Sequence, residues 1–175
     1  MRVQSMTTTD TNDTDASVAQ AERIIDAGGE LVRLTTQGRR EAENLKNISG
    51  RLKADGYRQP ICADVHFNAN VADIAALYAE KVRINPGNYV DPARTFRKLE
   101  YTDEEYAHEL KKIDDRLTPF IKICKEHHTC VRIGVNHGSL SDRIRNRYGD
   151  TPEGIVESCM EFLRICKKEQ FDNVV

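Results

Sequence analysis

Val131-Arg132-Ile133-Gly134-Val135-Asn136-His137-Gly138-Ser139 runs from a short β-branched apolar segment into a polar loop with two glycines. An arginine stands in the middle of the apolar part, where a buried strand rarely holds a charge. The same type of tripeptide recurs at Val32-Arg33-Leu34 and Val82-Arg83-Ile84, and the arginines are 50 and 49 residues apart. Side chains alternate along a strand, so Val and Leu or Ile share one face and the arginine takes the other. The repeat reads as buried strands of a curved sheet. Their apolar faces meet helices, and each arginine faces the lumen or its mouth.

Around these segments, short apolar runs alternate with longer amphipathic stretches. The runs are Arg2 to Met6, Glu30 to Thr35, Pro60 to Phe67, Lys81 to Asn85, Thr129 to Val135 and Phe171 to Val175. They are read as strands. Val18, Ala21, Ile24 and Ile25 form a helical stripe, and so do Ile155, Cys159, Phe162, Leu163 and Cys166. Thr151-Pro152 is a helix start, and Gly28-Gly29 a helix end. In the long connection from Tyr101 to His128, Pro119 is expected to kink or split a helix, with Thr118 as a cap.

Strand–helix alternation implies parallel strands joined by right-handed crossovers. A doubly wound sheet and a barrel both fit that pattern. The expected fold is α/β: a partial TIM-type (β/α) barrel with five parallel strands plus the start of a sixth. A complete barrel takes about 250 residues, and this chain has 175. It stops in the apolar Asn173-Val174-Val175, so residues 1–175 are expected to be the N-terminal part of a single (β/α)8 domain, cut at the C-terminus and also at the N-terminus.

Three cations near one axis repel each other and need anions between them. Asp64 is the only carboxylate near these strand ends, and it cannot neutralise three guanidinium groups. Planar bidentate donors suit phosphate oxygens, so Arg33, Arg83 and Arg132 are read as a phosphate site, the alternative being lumen carboxylates supplied by strands beyond this sequence. Asp64 and His66 are two residues apart and point to one face; both are catalytic candidates. Asn85 and Asn136 lie just beyond strand ends, where parallel β/α folds bind ligands. Gly134 and Gly138 allow close backbone approach, and Ser139 is placed to cap the next helix. His137 is a weaker candidate; His108, His127 and His128 are read as solvated. The hydroxyls of Thr7, Thr8, Thr9 and Thr11 either donate to an oxyanion or belong to a polar loop leading to a helix cap.

Composition excludes other classes. The chain is 39% hydrophobic and 31% charged with a net charge of −2. That balance gives no global basic field for nucleic acid or membrane. No segment is long and apolar enough to span a bilayer, and no targeting segment is evident. Cys62, Cys124, Cys130, Cys159 and Cys166 form no C-x-x-C pair, and are read as reduced core thiols of a cytoplasmic protein and not as a metal site.

With these residues in place, VQSMTTTDT (Val3 to Thr11), ELVRLT (Glu30 to Thr35), ADVHFN (Ala63 to Asn68), KVRINPGN (Lys81 to Asn88) and VRIGVNHGSL (Val131 to Leu140) together resemble the 4-hydroxy-3-methylbut-2-en-1-yl diphosphate synthase family of isoprenoid biosynthesis. NRYGDTPEGIVES (Asn146 to Ser158) is similar to its larger, plant-like form. The resemblance implies an iron-sulfur oxidoreductase. Such enzymes reductively open 2-C-methyl-D-erythritol 2,4-cyclodiphosphate and lose water, with electrons supplied by ferredoxin or flavodoxin through a [4Fe-4S] cluster. It implies that Arg33, Arg83 and Arg132 bind the diphosphate with Asn136 assisting, and that Asp64, His66 and Asn85 line the pocket. It also implies a bacterial, homodimeric protein. The family's cluster ligands sit in a separate domain, and no cysteine here matches their motif, so this chain alone is expected to lack synthase activity. The competing expectations are another phosphate-binding barrel, similar to dihydropteroate synthase, and an inactive anion-binding fragment.

Overall fold

A computed structural model describes residues 2–91 and 100–175. Five parallel strands form one sheet in the order β1-β2-β3-β4-β5: β1 Gln4–Met6, β2 Leu31–Thr36, β3 Ile61–Val65, β4 Lys81–Ile84 and β5 Cys130–Ile133. Each falls on one of the five complete expected runs and is trimmed at one end or both, except that β2 runs one residue past its expected end, to Thr36. Strand order follows chain order without reversal. That is the winding of a partial barrel; a doubly wound sheet reverses direction. Beyond β5, Val174 makes a parallel bridge to Val131, and Val175 accepts from the Ile133 N–H. The segment expected to begin a sixth strand therefore lies alongside the fifth.

The two faces of the sheet differ as the alternation requires. Val32, Leu34, Ile61, Ala63, Val65, Val82, Ile84, Val131 and Ile133 are buried beneath the helices. On the opposite face, pairing puts Met6, Arg33, Cys62, Lys81 and Cys130 in one row. Thr35, Asp64, Arg83 and Arg132 make the row above it, nearer the C-terminal strand ends.

The helices are α1 Thr14–Asp26, α2 Arg39–Ala54, α3 Ala69–Ala76, a single turn α4 Pro86–Tyr89, α5 Asp103–Glu126, α6 Asp142–Tyr148 and α7 Pro152–Lys168. The stripes and caps read from the sequence explain most of them. Val18, Ala21 and Ile25 of α1 are buried. Gly28, at φ 95°, turns the chain from α1 toward β2. Thr151 caps α7 through the Gly154 N–H, with Pro152 in the first turn.

Two local expectations are corrected. Pro119 neither splits nor ends α5, which starts at a Thr102–Glu105 capping box and is continuous to Glu126. Leu117, Phe120 and Ile121 are buried on either side of the proline. Their packing outweighs the one lost N–H bond. Thr118 is no cap; its hydroxyl bonds to Asp114. Ser139 does not cap α6 either, because Ser141 does. Ser139 instead accepts a hydrogen bond from the Asn85 amide at 2.7 Å.

Beneath α5, α6 and α7 lies a buried ionic cluster that sequence reading did not anticipate. Arg143, 2% exposed, donates to both Glu161 oxygens at 2.6 and 2.8 Å and to Asp91 at 3.3 Å. The Tyr106 hydroxyl donates to the same Glu161 at 2.5 Å, and its ring lies under the Arg143 guanidinium. Burial works against the Arg143 charge, but Glu161 and Asp91 hold its pKa above the ordinary value. Here one cation meets two carboxylates, and the cluster fastens three helices. Replacing Arg143 with Met strands both acids. The expected loss is about 3–5 kcal/mol of stability, read as a lower urea midpoint. An unchanged midpoint would show that the cluster does not hold the helices together.

Candidate anion-binding site at the strand ends

The first functional side chains are placed by adjacent strands. Arg33 belongs to β2, Asp64 to β3, Arg83 to β4 and Arg132 to β5. Asp64, Arg83 and Arg132 are level with one another across three neighbouring strands. The Asp64 carboxylate is 2% exposed and is the hub. Its Oδ2 accepts from Arg33 Nη2, and its Oδ1 from Arg83 Nη1 at 3.1 Å.

His66 joins this hub as the two-residue spacing predicts. Its Nε2 is 3.1 Å from Asp64 Oδ2 and 3.1 Å from Arg83 Nη1. A protonated Nε2 donates to the carboxylate, whereas a bare Nε2 accepts from the guanidinium. The same nitrogen therefore changes partner with its proton.

Arg83 is fixed from a second side. Its Nη2 donates to the Gly134 carbonyl at 2.6 Å. A Cβ at position 134 would lie 2.1 Å from Arg83 Nε, so the side chain crosses β5 where only glycine leaves room. Burial lowers the Arg83 pKa, and the nearby charges of Arg33 and Arg132 act in the same direction; Asp64 opposes them. At Asp64, burial favours the neutral acid. The Arg33 bond and charge, with His66, more than offset this and hold the pKa below the usual carboxylate range.

Arg132 differs from the other two. It is exposed and has no hydrogen-bond or ion-pair partner among the described residues. Lys81, two residues before Arg83 and on the same face, adds a further half-buried cation below. The same two-residue spacing that paired Asp64 with His66 marks it in the sequence. Within these two rows, four cations face one carboxylate. Such a surface attracts a multiply charged anion.

The remaining candidates are placed less centrally. Asn85 is buried, and its side chain accepts from the Gly87 N–H and donates to Ser139. It joins the loops after β4 and β5 and makes no hydrogen bond to Arg33, Arg83 or Arg132 among the described residues. Asn136 is exposed and accepts from the Gly138 N–H, shaping the turn after β5. His137 is exposed, 3.4 Å from Asp150. His108, His127 and His128 are exposed. The threonine hydroxyls after β1 serve the loop: Thr9 bonds Ser17, and Thr11 donates to the Thr35 carbonyl.

No group of three or more metal-ligating side chains converges among the described residues. All five cysteines are free. Burial pushes Cys62 and Cys166 to about 11 and Cys124 to about 12, the behaviour of core thiols and not of thiolate ligands. No helix among the described residues is long and apolar enough to cross a membrane.

The profile of the GcpE TIM-barrel domain matches residues 1–175. The 4-hydroxy-3-methylbut-2-en-1-yl diphosphate synthase (flavodoxin) of Bacteroides fragilis is 73% identical over 175 residues, 100% of this chain and 28% of that protein. The enzyme of the same name from Parabacteroides distasonis is 63% identical, over 100% of this chain and 29% of its own length. That of Chlorobaculum tepidum is 48% identical, over 98% and 23%. The chain thus spans less than a third of the length of these curated relatives.

Asp64 carries a pH dependence of its own. Its folded pKa is depressed, so its contribution to stability is fully present above the unfolded value of about 3.9. It is lost as pH falls through the folded value. Asp64→Asn is expected to lower stability at pH 7 by about 3 kcal/mol, because Arg83 and Arg33 lose their shared anion. The variant should also lose less stability than the parent when acidified from pH 5 to pH 2. Parallel pH–stability curves for the two proteins would rule out this role.

Proposed function

This chain belongs to the GcpE family, and on that premise we propose that its strand-end arginines hold the diphosphate of 2-C-methyl-D-erythritol 2,4-cyclodiphosphate. The observation that carries the proposal is Arg132. It is a lumen-face guanidinium level with Arg83 and without an anion among the described residues, while the single nearby carboxylate is already shared by Arg33 and Arg83. A cyclic diphosphate supplies the missing negative charge in a shape that planar donors grip. Asp64 keeps Arg33 and Arg83 in place before the ligand arrives. His66 sits beside them, where it can hold or release a proton at Nε2. Asn136 is an exposed amide three residues beyond the end of β5, and we assign it an assisting contact.

The activity proposed for the whole protein is that of its relatives: reductive opening of the cyclodiphosphate with loss of water. The name of those relatives supports flavodoxin, in preference to ferredoxin, as electron donor. A [4Fe-4S] cluster would supply the electrons. The cysteines described above do not fit it: all are free, and no ligand trio converges among the described residues. We therefore assign this chain substrate binding and no electron-transfer step. The proposed assembly is a homodimer in which another domain faces this site. Assignment to the larger form of the family rests on the segment from Asn146 to Ser158. Bacterial relatives and free cysteines support a cytoplasmic location.

Arg132→Ala separates binding from folding, because that side chain has no internal partner to strand. It is expected to weaken binding of inorganic diphosphate by about 10-fold or more, a charge-assisted contact being worth roughly 1.5–3 kcal/mol. The melting temperature should stay within about 1–2 °C, a surface substitution costing at most about 0.5 kcal/mol. Arg132→Lys should recover only part of the affinity, since it lacks the planar fork. Unchanged calorimetric affinity in Arg132→Ala would remove the phosphate role from this residue.

A further inference from the structure

The turn from β3 to α3 holds a residue that turn chemistry alone does not require. β3 ends at Val65, and Asn68 already caps α3 by accepting from the Asn70 N–H. The reversal must be completed at residues 66 and 67. Phe67 completes it at φ 61°, in the left-handed region. Glycine or asparagine adopts that conformation readily; a bulky aromatic does so under strain. The ring is also 68% exposed, so burial within the chain does not offset the strain. The short turn explains the backbone and leaves the side chain unexplained. An observed outlier of this kind points to function.

The ring's position supplies the missing reason. Its centroid is 5.9 Å from that of the His66 imidazole. His66 Nε2 touches both Asp64 and Arg83. Phe67 therefore stands at the rim of the cationic cluster, one side chain away from the guanidinium that faces the site. Arginines and a phosphate recognise charge, and by themselves they treat every diphosphate alike. An aromatic ring at the rim adds apolar contact with whatever carbon the phosphates carry. By excluding water it also strengthens the polar bonds beneath it.

We propose that Phe67 is a specificity residue, whose ring packs on the carbon skeleton of a phosphate ester held by the arginines and distinguishes it from the bare anion. The proposal rests on the phosphate reading above, and two probes keep the two claims apart. The full chain and the variants Phe67→Gly, Phe67→Asn and Phe67→Tyr are titrated by calorimetry with inorganic diphosphate and with 2-C-methyl-D-erythritol 2,4-cyclodiphosphate. The Gly and Asn variants should bind the cyclodiphosphate about 10-fold more weakly, while their affinity for inorganic diphosphate stays within about twofold. Both suit a left-handed turn, so their melting temperatures should hold or rise by about 2–4 °C. The Tyr variant should keep the parent's preference for the ester.

Equal cyclodiphosphate affinity in parent and Gly variant would overturn the role of Phe67 and leave the phosphate site standing. Equal losses for both probes would also overturn it, because the ring would then be supporting the arginines. A parent chain that binds neither probe would remove the phosphate reading, and the role of Phe67 with it.

Discussion

The structure at the strand ends depends on one carboxylate shared between two guanidinium groups. A parallel strand with apolar residues on alternate positions has to send its middle arginine to the opposite face. Three solutions to that constraint, on β2, β4 and β5, put Arg33, Arg83 and Arg132 on one face of the sheet. Asp64 makes the arrangement stable enough to fold, because it accepts from both Arg33 and Arg83. The glycine at position 134 follows from the need to seat Arg83.

A second buried arginine in the same chain shows what a purely structural solution looks like. Arg143 meets Glu161 and Asp91, with the Tyr106 hydroxyl on the same carboxylate. Cation and acids there are matched with acid to spare, and the group is closed to solvent. At the strand ends the balance is the reverse, with cations in excess and Arg132 open to solvent. Burying charge without full pairing is costly, so a fold that needed only stability would have the Arg143 arrangement in both places. The proposed ligand from outside the chain would account for that excess.

Much of this was legible in the sequence because it rests on short-range periodicity. The Val-Arg-Leu or Ile tripeptides fix which face each arginine takes, and the spacing of Asp64 and His66 fixes their contact. Lys81 follows from the same rule. Other features depend on contacts between residues far apart in sequence. Arg143 and Glu161 look like ordinary charges on amphipathic helices, since their pairing arises from how α5, α6 and α7 pack. Pro119 reads as a kink or a split in the helix because local rules count its missing N–H; the split does not occur because Phe120 and Ile121 are buried, which those rules cannot count. Asn85 and Ser139 each looked free for other tasks, and only the approach of two loops shows that they bond to each other.

The division of labour among the arginines bears on how the proposed site would achieve affinity. Arg83 is held by Asp64, the Gly134 carbonyl and the neighbouring His66, so little rotamer freedom remains to be lost when an anion arrives. Arg132, without a partner among the described residues, would close on the proposed ligand at the cost of its own side-chain entropy. A rigid donor defines where the anion sits, and a mobile one adapts to its shape. The carboxylate that fixes Arg83 also withdraws part of its charge from the ligand. Arg132 keeps its full charge for the anion because nothing in the described chain shares it. The residue with the fewest contacts in the free protein is therefore the one whose binding role is least entangled with folding.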